Sequence, residues 1–446
     1  MKRITGSWWA LLAAVTLAWL VAEPGLLATR GVIPIRNLLV QYSGLLSMVA
    51  MSVAMILATR PRWPEHWFGG LDKMYRLHKW LGITFLVTTV LHWIAANGPK
   101  WATSTGLLTR GARSPREAPS SAVEGWLLGY RGAAESVGAW MLYAVVLLIV
   151  VALVERVPYR LFQKTHRILA ACHLALVFHS VVLTKFAYWR SPVGLLLAPL
   201  MAAGVWASIL VLIRRVGAGR KVSGTVASMR YFSGVHTLDV SVDLADGWRG
   251  HEPGQFAFVT SDTSEGAHPY TFASAWNASD RHVKFVVKEL GDYTDHLRDT
   301  LHVGQVVMIE GPYGCFTFAD SCATQIWVAG GIGISPFLAR MAFLANPARR
   351  PAQDIHLFHA TADEDEGAFA KLTSDATAAG VHLHLLVDRR DGFLSGEKIR
   401  AAVPAWRDAS LWFCGPVALG AMLRGDLSNA GMDVDARFHQ ELFALR

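Results

Sequence analysis

Hydrophobic positions are distributed unevenly along the chain. Six apolar stretches of membrane-spanning length, roughly 7–21, 35–58, 77–96, 138–154, 168–184 and 193–213, fill its first half. Beyond Arg214 and Arg215 the pattern changes to short alternating runs, Gly/Pro turns and scattered charge, as in a soluble domain. SGTVASMRY, HTLDVSVD, QFAFVTS and HVKFVVKEL read as strands of a small antiparallel barrel. From QIWVAGGIGISPFLARMAFL onward, apolar strands at DIHLFHA, HLHLLVD and SLWFCGP alternate with helical stretches, which predicts a parallel three-layer α/β fold. The expected architecture is a six-helix transmembrane bundle (1–216), then an antiparallel β-barrel domain (217–320), then an α/β domain (321–446).

Composition agrees: across 446 residues 52% are hydrophobic and 17% charged, and the mean hydropathy is +0.31. That is too apolar for an ordinary soluble protein and too long for one domain. A net charge of +8 does not imply nucleic acid, because many of the cations stand at the ends of apolar stretches, where the positive-inside rule places them. Lys2, Arg3, Arg60, Arg62, Lys73, Arg76, Arg156, Arg160, Lys164, Arg214, Arg215, Arg220 and Lys221 then mark the cytoplasmic side. Six spans follow, with both termini cytoplasmic, in a bacterial inner or plasma membrane. Lys100, Arg110, Arg113, Arg116 and Arg131 run against that count, in a connection over 97–135 that reads as one long solvated outer loop. The four cysteines, Cys172, Cys315, Cys322 and Cys414, form no C-x-x-C pair and indicate neither a disulfide framework nor a zinc site. LVAEPGLLATRG lacks a small-residue cleavage site, so the first stretch is expected to be retained as a span.

The third and fifth stretches carry the most specific signal. His78 and His92 lie 14 residues apart, on one helix face and about 21 Å from each other. His166 and His179, 13 residues apart, match those depths. A histidine inside a span is costly and faces a partner in the bundle. Singly, each reads as an interhelical hydrogen bond; four at paired depths point to two haems, each held by one imidazole from each helix, His78 with His166 and His92 with His179. The 13-residue spacing leaves His179 roughly 140° from the His166 face of a straight helix. His173, nearly eclipsed with His166, is a rival ligand but matches neither depth. Lys79 and Arg167, beside the first pair, are suited to haem propionates or to snorkelling.

In the soluble half, HPYTFAS (268–274) offers an aromatic and hydroxyls to a flavin ring, and the KELGDYT turn (288–294) offers backbone amides to a diphosphate. The strand, glycine-rich turn and helix start around Gly330, Gly331 and Gly333, with Pro336 just inside the helix, let a backbone approach a pyrophosphate.

Taken together, the chain resembles the NADPH oxidase and ferric reductase family: six spans with two b-type haems, then a flavin and nicotinamide module similar to ferredoxin-NADP reductases. The resemblance implies FAD, two haem b groups and NADH or NADPH. HPYT resembles the family's flavin motif, which assigns His268, Pro269, Tyr270, Thr271 and Ser274 to FAD. The segment of Lys288, Gly291 and Thr294 resembles its diphosphate stretch. GPYG (Gly311, Pro312, Gly314), GGIGISP and CGP (Cys414, Gly415, Pro416) resemble its nicotinamide-nucleotide motifs. FHQELF resembles its C-terminal ending, so Phe443 would cover the flavin and, with Cys414, lie on the electron path. Tyr270 stands where Phe is usual, and three residues follow Phe443. HATADEDEGAF is acidic where an NADPH enzyme needs Arg, which favours a ribose hydroxyl and NADH, although Arg389 and Arg390 stand one strand later. No acid/base residue is implied. The expected partners are the lipid bilayer and a small-molecule electron acceptor, ferric iron or oxygen, on the outer side, with any partner subunit unspecified. Two other readings are a transporter or channel with a nucleotide-sensing domain, and a single-haem flavin reductase.

Overall fold

The computed structural model describes residues 2–108, 118–154, 156–291 and 293–441. It forms two compact units, one built on Lys73–Val216 with the chain before Gly69, the other on Gly217 onward with Gly69–Asp72.

Among the described residues of the first unit, six helices are long and apolar enough to cross a membrane: α1 Lys2–Ala22, α2 Val32–Ala58, α3 Leu71–Ser104, α4 Arg131–Leu153, α5 Tyr159–Leu183 and α6 Pro192–Leu212. Each contains the apolar stretch expected from the sequence to within a residue, and all but α6 extend it, because flanking polar residues still close helical hydrogen bonds. Ser191 caps α6 by accepting from Val193 N (3.2 Å), and Pro192 takes the first turn, where its missing N–H is not needed. Val15 and Trp19 of α1 pack with Leu45, Met48 and Val49 of α2 and with Val193, Leu197 and Met201 of α6. Leu17, Leu147, Leu195 and Trp206 are exposed on the outside, as helices solvated by lipid require.

The stretch 97–135 is not one long loop. Asn97, Gly98 and Pro99 read as a stop, yet α3 continues through them to Ser104. Arg36 Nη2 of α2 donates to Ala96 O (2.9 Å) on the turn before Pro99, while Thr103 Oγ1 donates to Pro99 O (2.7 Å) and Asn97 Nδ2 to Trp93 O (3.0 Å); a proline survives in a membrane helix when neighbouring helices and side chains bond the backbone around it. Ala122–Gly129 is a further helix whose first turn Ser121 caps, and α4 begins at Arg131. Arg110, Arg113 and Arg116 lie outside the described residues.

The second unit holds two sheets. β1 Lys221–Phe232, β2 Thr237–Leu244, β3 Phe256–Thr260, β4 His268–Thr271, β5 His282–Lys288 and β6 Val306–Tyr313 form an antiparallel sheet in the order β4-β3-β6-β1-β2-β5. Its ends meet where Phe272 bridges Phe285 and Ala273 N donates to Lys284 O (2.8 Å), so the sheet curls into the expected barrel. Val226, Val242, Ala257, Phe272, Val283 and Ile309 fill it.

The other sheet is parallel, in the order β11-β10-β7-β8-β9, from β7 Thr324–Gly330, β8 Asp354–Thr361, β9 His382–Val387, β10 Ser410–Cys414 and β11 Phe438–Gln440. The last strand was not among those expected. Alternate residues of the central strands feed two cores: Trp327 and Leu357 pack with α7 Ser335–Leu344 and α8 Glu366–Ala379, while Ile326 and Phe358 pack with α9 Gly396–Ala402 and α10 Val417–Asn429. Burial on both faces explains the unbroken apolar runs. From β7 the chain builds outward to β8 and β9 on one side and to β10 and β11 on the other. The crevice beyond the ends of β7 and β10 is therefore a topological switch point, where such sheets bind ligands.

Candidate functional site

In the membrane unit, His78 of α3 faces His166 of α5 with ring centroids 5.8 Å apart, and His92 faces His179 at 6.2 Å. With metal–imidazole bonds of about 2.0–2.1 Å, rings at these separations would have room to hold one metal ion between them. The second shell also fits: Nδ1–H donates to a backbone carbonyl from His78 (Ala54 O, 2.9 Å), His92 (Val40 O, 2.9 Å) and His179 (Ala134 O, 2.7 Å). Each bond fixes the tautomer that leaves Nε2 for a metal. His166 Nδ1 is buried with no hydrogen-bond partner among the described residues, and its ring stacks on Phe162 at 5.0 Å. Glycines make space for the second pair: a Cβ at Gly44 would sit 3.3 Å from the His92 ring, and one at Gly138 would overlap the ring of His179. That gap on α4 admits His179 despite its spacing from His166. His173 is fully buried, with its Nδ1 bonded to Ser208 Oγ (2.9 Å) and its Nε2 to Ser52 Oγ (3.2 Å). Both ring nitrogens are engaged, so it is not a ligand here.

His92 and His179 line a cavity of about 1200 Å³ with Arg36, Lys100, Glu124 and Arg131 among its polar walls. Lys185 pairs with Glu23 (2.6 Å) and Arg131 with Glu135 (3.0 Å) on the same walls. Sites for drug-sized ligands usually span ~300–1,000 Å³, so this volume exceeds one ordinary ligand.

In the second unit the glycine motifs converge at the switch point. A Cβ at Gly330 would meet Pro416 Cδ (2.5 Å), one at Gly333 the Cys414 carbonyl, and one at Gly415 the Gly330 Cα (2.9 Å). Three of the four glycines thus serve close backbone packing between the two turns. Gly331 differs: its φ is +55° and nothing lies within 4 Å of the added Cβ, so it borders open space. Pro336 stands in the first turn of α7. Cys414 is buried at the end of β10, where burial above all, and then the Glu441 carboxylate, raise its thiol well above the ordinary value.

On the barrel, Pro269 and Tyr270 belong to the terminal strand β4, where a missing ladder donor is tolerated, and Thr271 is buried. His268 stacks on Tyr293 at 4.1 Å, within 5° of parallel, and burial lowers its pKa. Gly311 and Pro312 lie in β6 pressed on β3, and Gly314 follows with φ +105°.

Residues 43–177 match the family model of the ferric reductase like transmembrane component, and residues 224–317 match that of an FAD-binding domain. The chain joins a ferric reductase-like transmembrane component to an FAD-binding module. The six apolar helices together with the match to a transmembrane component make it an integral membrane protein. The chain is 25% identical over 202 residues to the 2-halobenzoate 1,2-dioxygenase electron transfer component of Burkholderia cepacia, covering 43% of this chain and 58% of that one. It is 28% identical over 204 residues to the NADPH oxidoreductase of Mycobacterium tuberculosis, covering 44% and 53%. The chain thus spans less than two thirds of these curated relatives. Among solved structures, the flavohem-like FAD/NAD binding domain of the Vibrio cholerae O1 biovar El Tor nitric oxide dioxygenase superposes with TM-score 0.42 at 20% identity, over 49% of this chain and 97% of that one.

Several residues assigned to cofactors in this ferric reductase-like chain are already engaged. Ser274 Oγ accepts from Lys284 N (3.0 Å) and its carbonyl from His251 Nε2 (2.9 Å), tying the barrel seam. The amides of Leu290 and Gly291, expected to face a diphosphate, donate instead to Thr294 Oγ1 (3.0 Å) and Asp295 Oδ1 (3.1 Å), closing the turn on itself. Lys288 pairs with Asp363 across the cleft between the two sheets. Within the acidic run, Glu364 pairs with Arg390 (3.1 Å), and Asp365 caps α8 while accepting from Gly234 N (3.0 Å). Phe443 lies outside the described residues. Sequence reasoning missed Glu441 beside Cys414, and His359, a buried histidine whose Nδ1 has no hydrogen-bond partner among the described residues in the cleft of Lys288. The FHQELF ending held the signal for Glu441; a lone histidine inside a strand held none for His359.

Proposed function

We propose that this oxidoreductase carries electrons from cytoplasmic NAD(P)H across the membrane, by way of FAD and two b-type haems, to a small acceptor, ferric iron or oxygen, on the outer side. The observation that carries the reading is the repeated pair, two facing imidazole couples at two depths, three of the four rings with Nδ1 anchored on a backbone carbonyl. When bound, FAD converts two-electron to one-electron transfer and haem supplies one-electron sites. The chain's part is to hold and space these groups. His78 with His166, and His92 with His179, hold the irons. Thr271 and Tyr270 on β4 orient the flavin, and Gly331 lets the nucleotide backbone approach. Cys414 stays a neutral thiol beside the crevice and moves no proton. The cavity at His92 and His179 is roomy enough to admit a small acceptor beside its macrocycle.

Haem-to-protein stoichiometry of the purified protein tests this. Two haems per chain are expected, falling to one in His92→Leu; a colourless protein, or an unchanged ratio in the variant, sinks the two-site reading. Sealed vesicles fed NADH or NADPH, with iron reduction and superoxide-linked cytochrome c reduction read in parallel, identify the acceptor.

A further inference from the structure

The acidic loop after β8 touches two cations at once. Lys288, at the end of β5, pairs with Asp363; Arg390, just past β9, pairs with Glu364 (3.1 Å) and Asp391 (3.1 Å). Lys288 lines the same small cleft as Gly331 and Thr361, next to the switch point, and Arg390 follows the neighbouring strand at the same end of the sheet. The loop is held in place from both sides. Asp363 N donates to Thr361 Oγ1 (3.2 Å), and Asp365 bonds Ala368 N (2.9 Å) and Gly234 N (3.0 Å). Asp363 and Glu364 therefore face their cations from a fixed turn.

We propose that Asp363 and Glu364 set the nicotinamide-nucleotide preference by occupying Lys288 and Arg390, so that a 2′-phosphate meets two cations that are already paired and the unphosphorylated ribose is favoured. This rests on the reading that the nucleotide binds at the switch point. It differs from the usual account, in which an acidic side chain at the strand end bonds the ribose hydroxyls itself. Here the carboxylates are spent on protein cations. A phosphomonoester carries about −1.5 to −2 charge at neutral pH. To bind it, the site must break both pairs and leave two carboxylates beside the phosphate, a like-charge arrangement. With Asn and Gln at the two positions, shape is kept, Lys288 is released, and Arg390 keeps only its pair with Asp391.

The test uses the full-length protein in detergent with 5′-AMP and 2′,5′-ADP as probes in calorimetry. The wild type is expected to bind 5′-AMP at least as tightly as 2′,5′-ADP. Asp363→Asn with Glu364→Gln is expected to tighten 2′,5′-ADP about tenfold, leave 5′-AMP within about twofold, and lose the gain at high salt. Adding Lys288→Met to that double variant is expected to remove most of the gain. If both probes bind and their affinity ratio is unchanged in the double variant, or if the wild type already prefers 2′,5′-ADP tenfold, the inference is overturned while the nucleotide site stands. If neither probe binds and NADH does not reduce the flavin, the site reading falls and the inference with it.

Discussion

A single added methyl group separates ligand geometry from fold stability in the membrane unit. Gly138 lies on α4 against the ring of His179, and a Cβ there would overlap that ring, whereas a Cβ at Gly44 would sit 3.3 Å from the His92 ring, a distance small shifts can relieve. Gly→Ala in a helix interior is favourable by about 0.8–1 kcal/mol, so neither variant should harm the helix itself. Gly138→Ala must instead push His179 away from Gly138, and the bond from its Nδ1 to Ala134 O (2.7 Å) goes with it. Loss of such an outer-shell partner typically costs 10–100-fold in metal affinity, about 1.4–2.7 kcal/mol. Purified Gly138→Ala is therefore expected to hold close to one haem per chain while unfolding no earlier than the parent, and Gly44→Ala to keep nearly two. The assay is haem per protein by pyridine haemochrome together with thermal unfolding in the same detergent. If Gly138→Ala retained both haems, or if the two variants lost haem equally, close packing on His179 would not control the second site.

Two further outcomes follow from the second unit. Because burial keeps Cys414 protonated, iodoacetamide at pH 8 is expected to leave it unmodified in the native protein and to label it on unfolding, as read by peptide mass; rapid native labelling would contradict this. Burial holds His251 down to about 4, against the raising effect of its bond to Ser274, while its ring stacks on Phe272 at 3.8 Å. The unfolded chain therefore binds one more proton between the ordinary value of about 6.5 and about 4. The contribution is fully present above about 6.5 and is lost as pH falls through that window, at up to about 1.4 kcal/mol per unit. His251→Phe should flatten unfolding temperature against pH across that range, and an unchanged slope would refute it.

What was legible in the sequence follows the range of the forces involved. Spans and strands are local periodicities, and His78, His92, His166 and His179 stand out because imidazole in an apolar run has no cheap local explanation. The extension of α3 through Pro99 was not legible, because Asn97, Gly98 and Pro99 are poor helix formers and a bond to that turn, Arg36 Nη2 to Ala96 O (2.9 Å), comes from another helix. Nor was β11, whose three residues become a strand only by lying beside β10. At the candidate site the split is sharper. The glycine motifs announced a tight turn, yet only the fold tells apart Gly330, Gly333 and Gly415, which pack turn against turn, from Gly331, which borders open space. The acidic run announced negative charge; that it is spent on Lys288 and Arg390 required bringing the end of β5 against the loop after β8, elements 75 residues apart in the chain. Sequence thus specifies which chemistry is available, while long-range pairing decides which groups remain free to use it, and in this loop that decision commits Asp363 and Glu364 to Lys288 and Arg390.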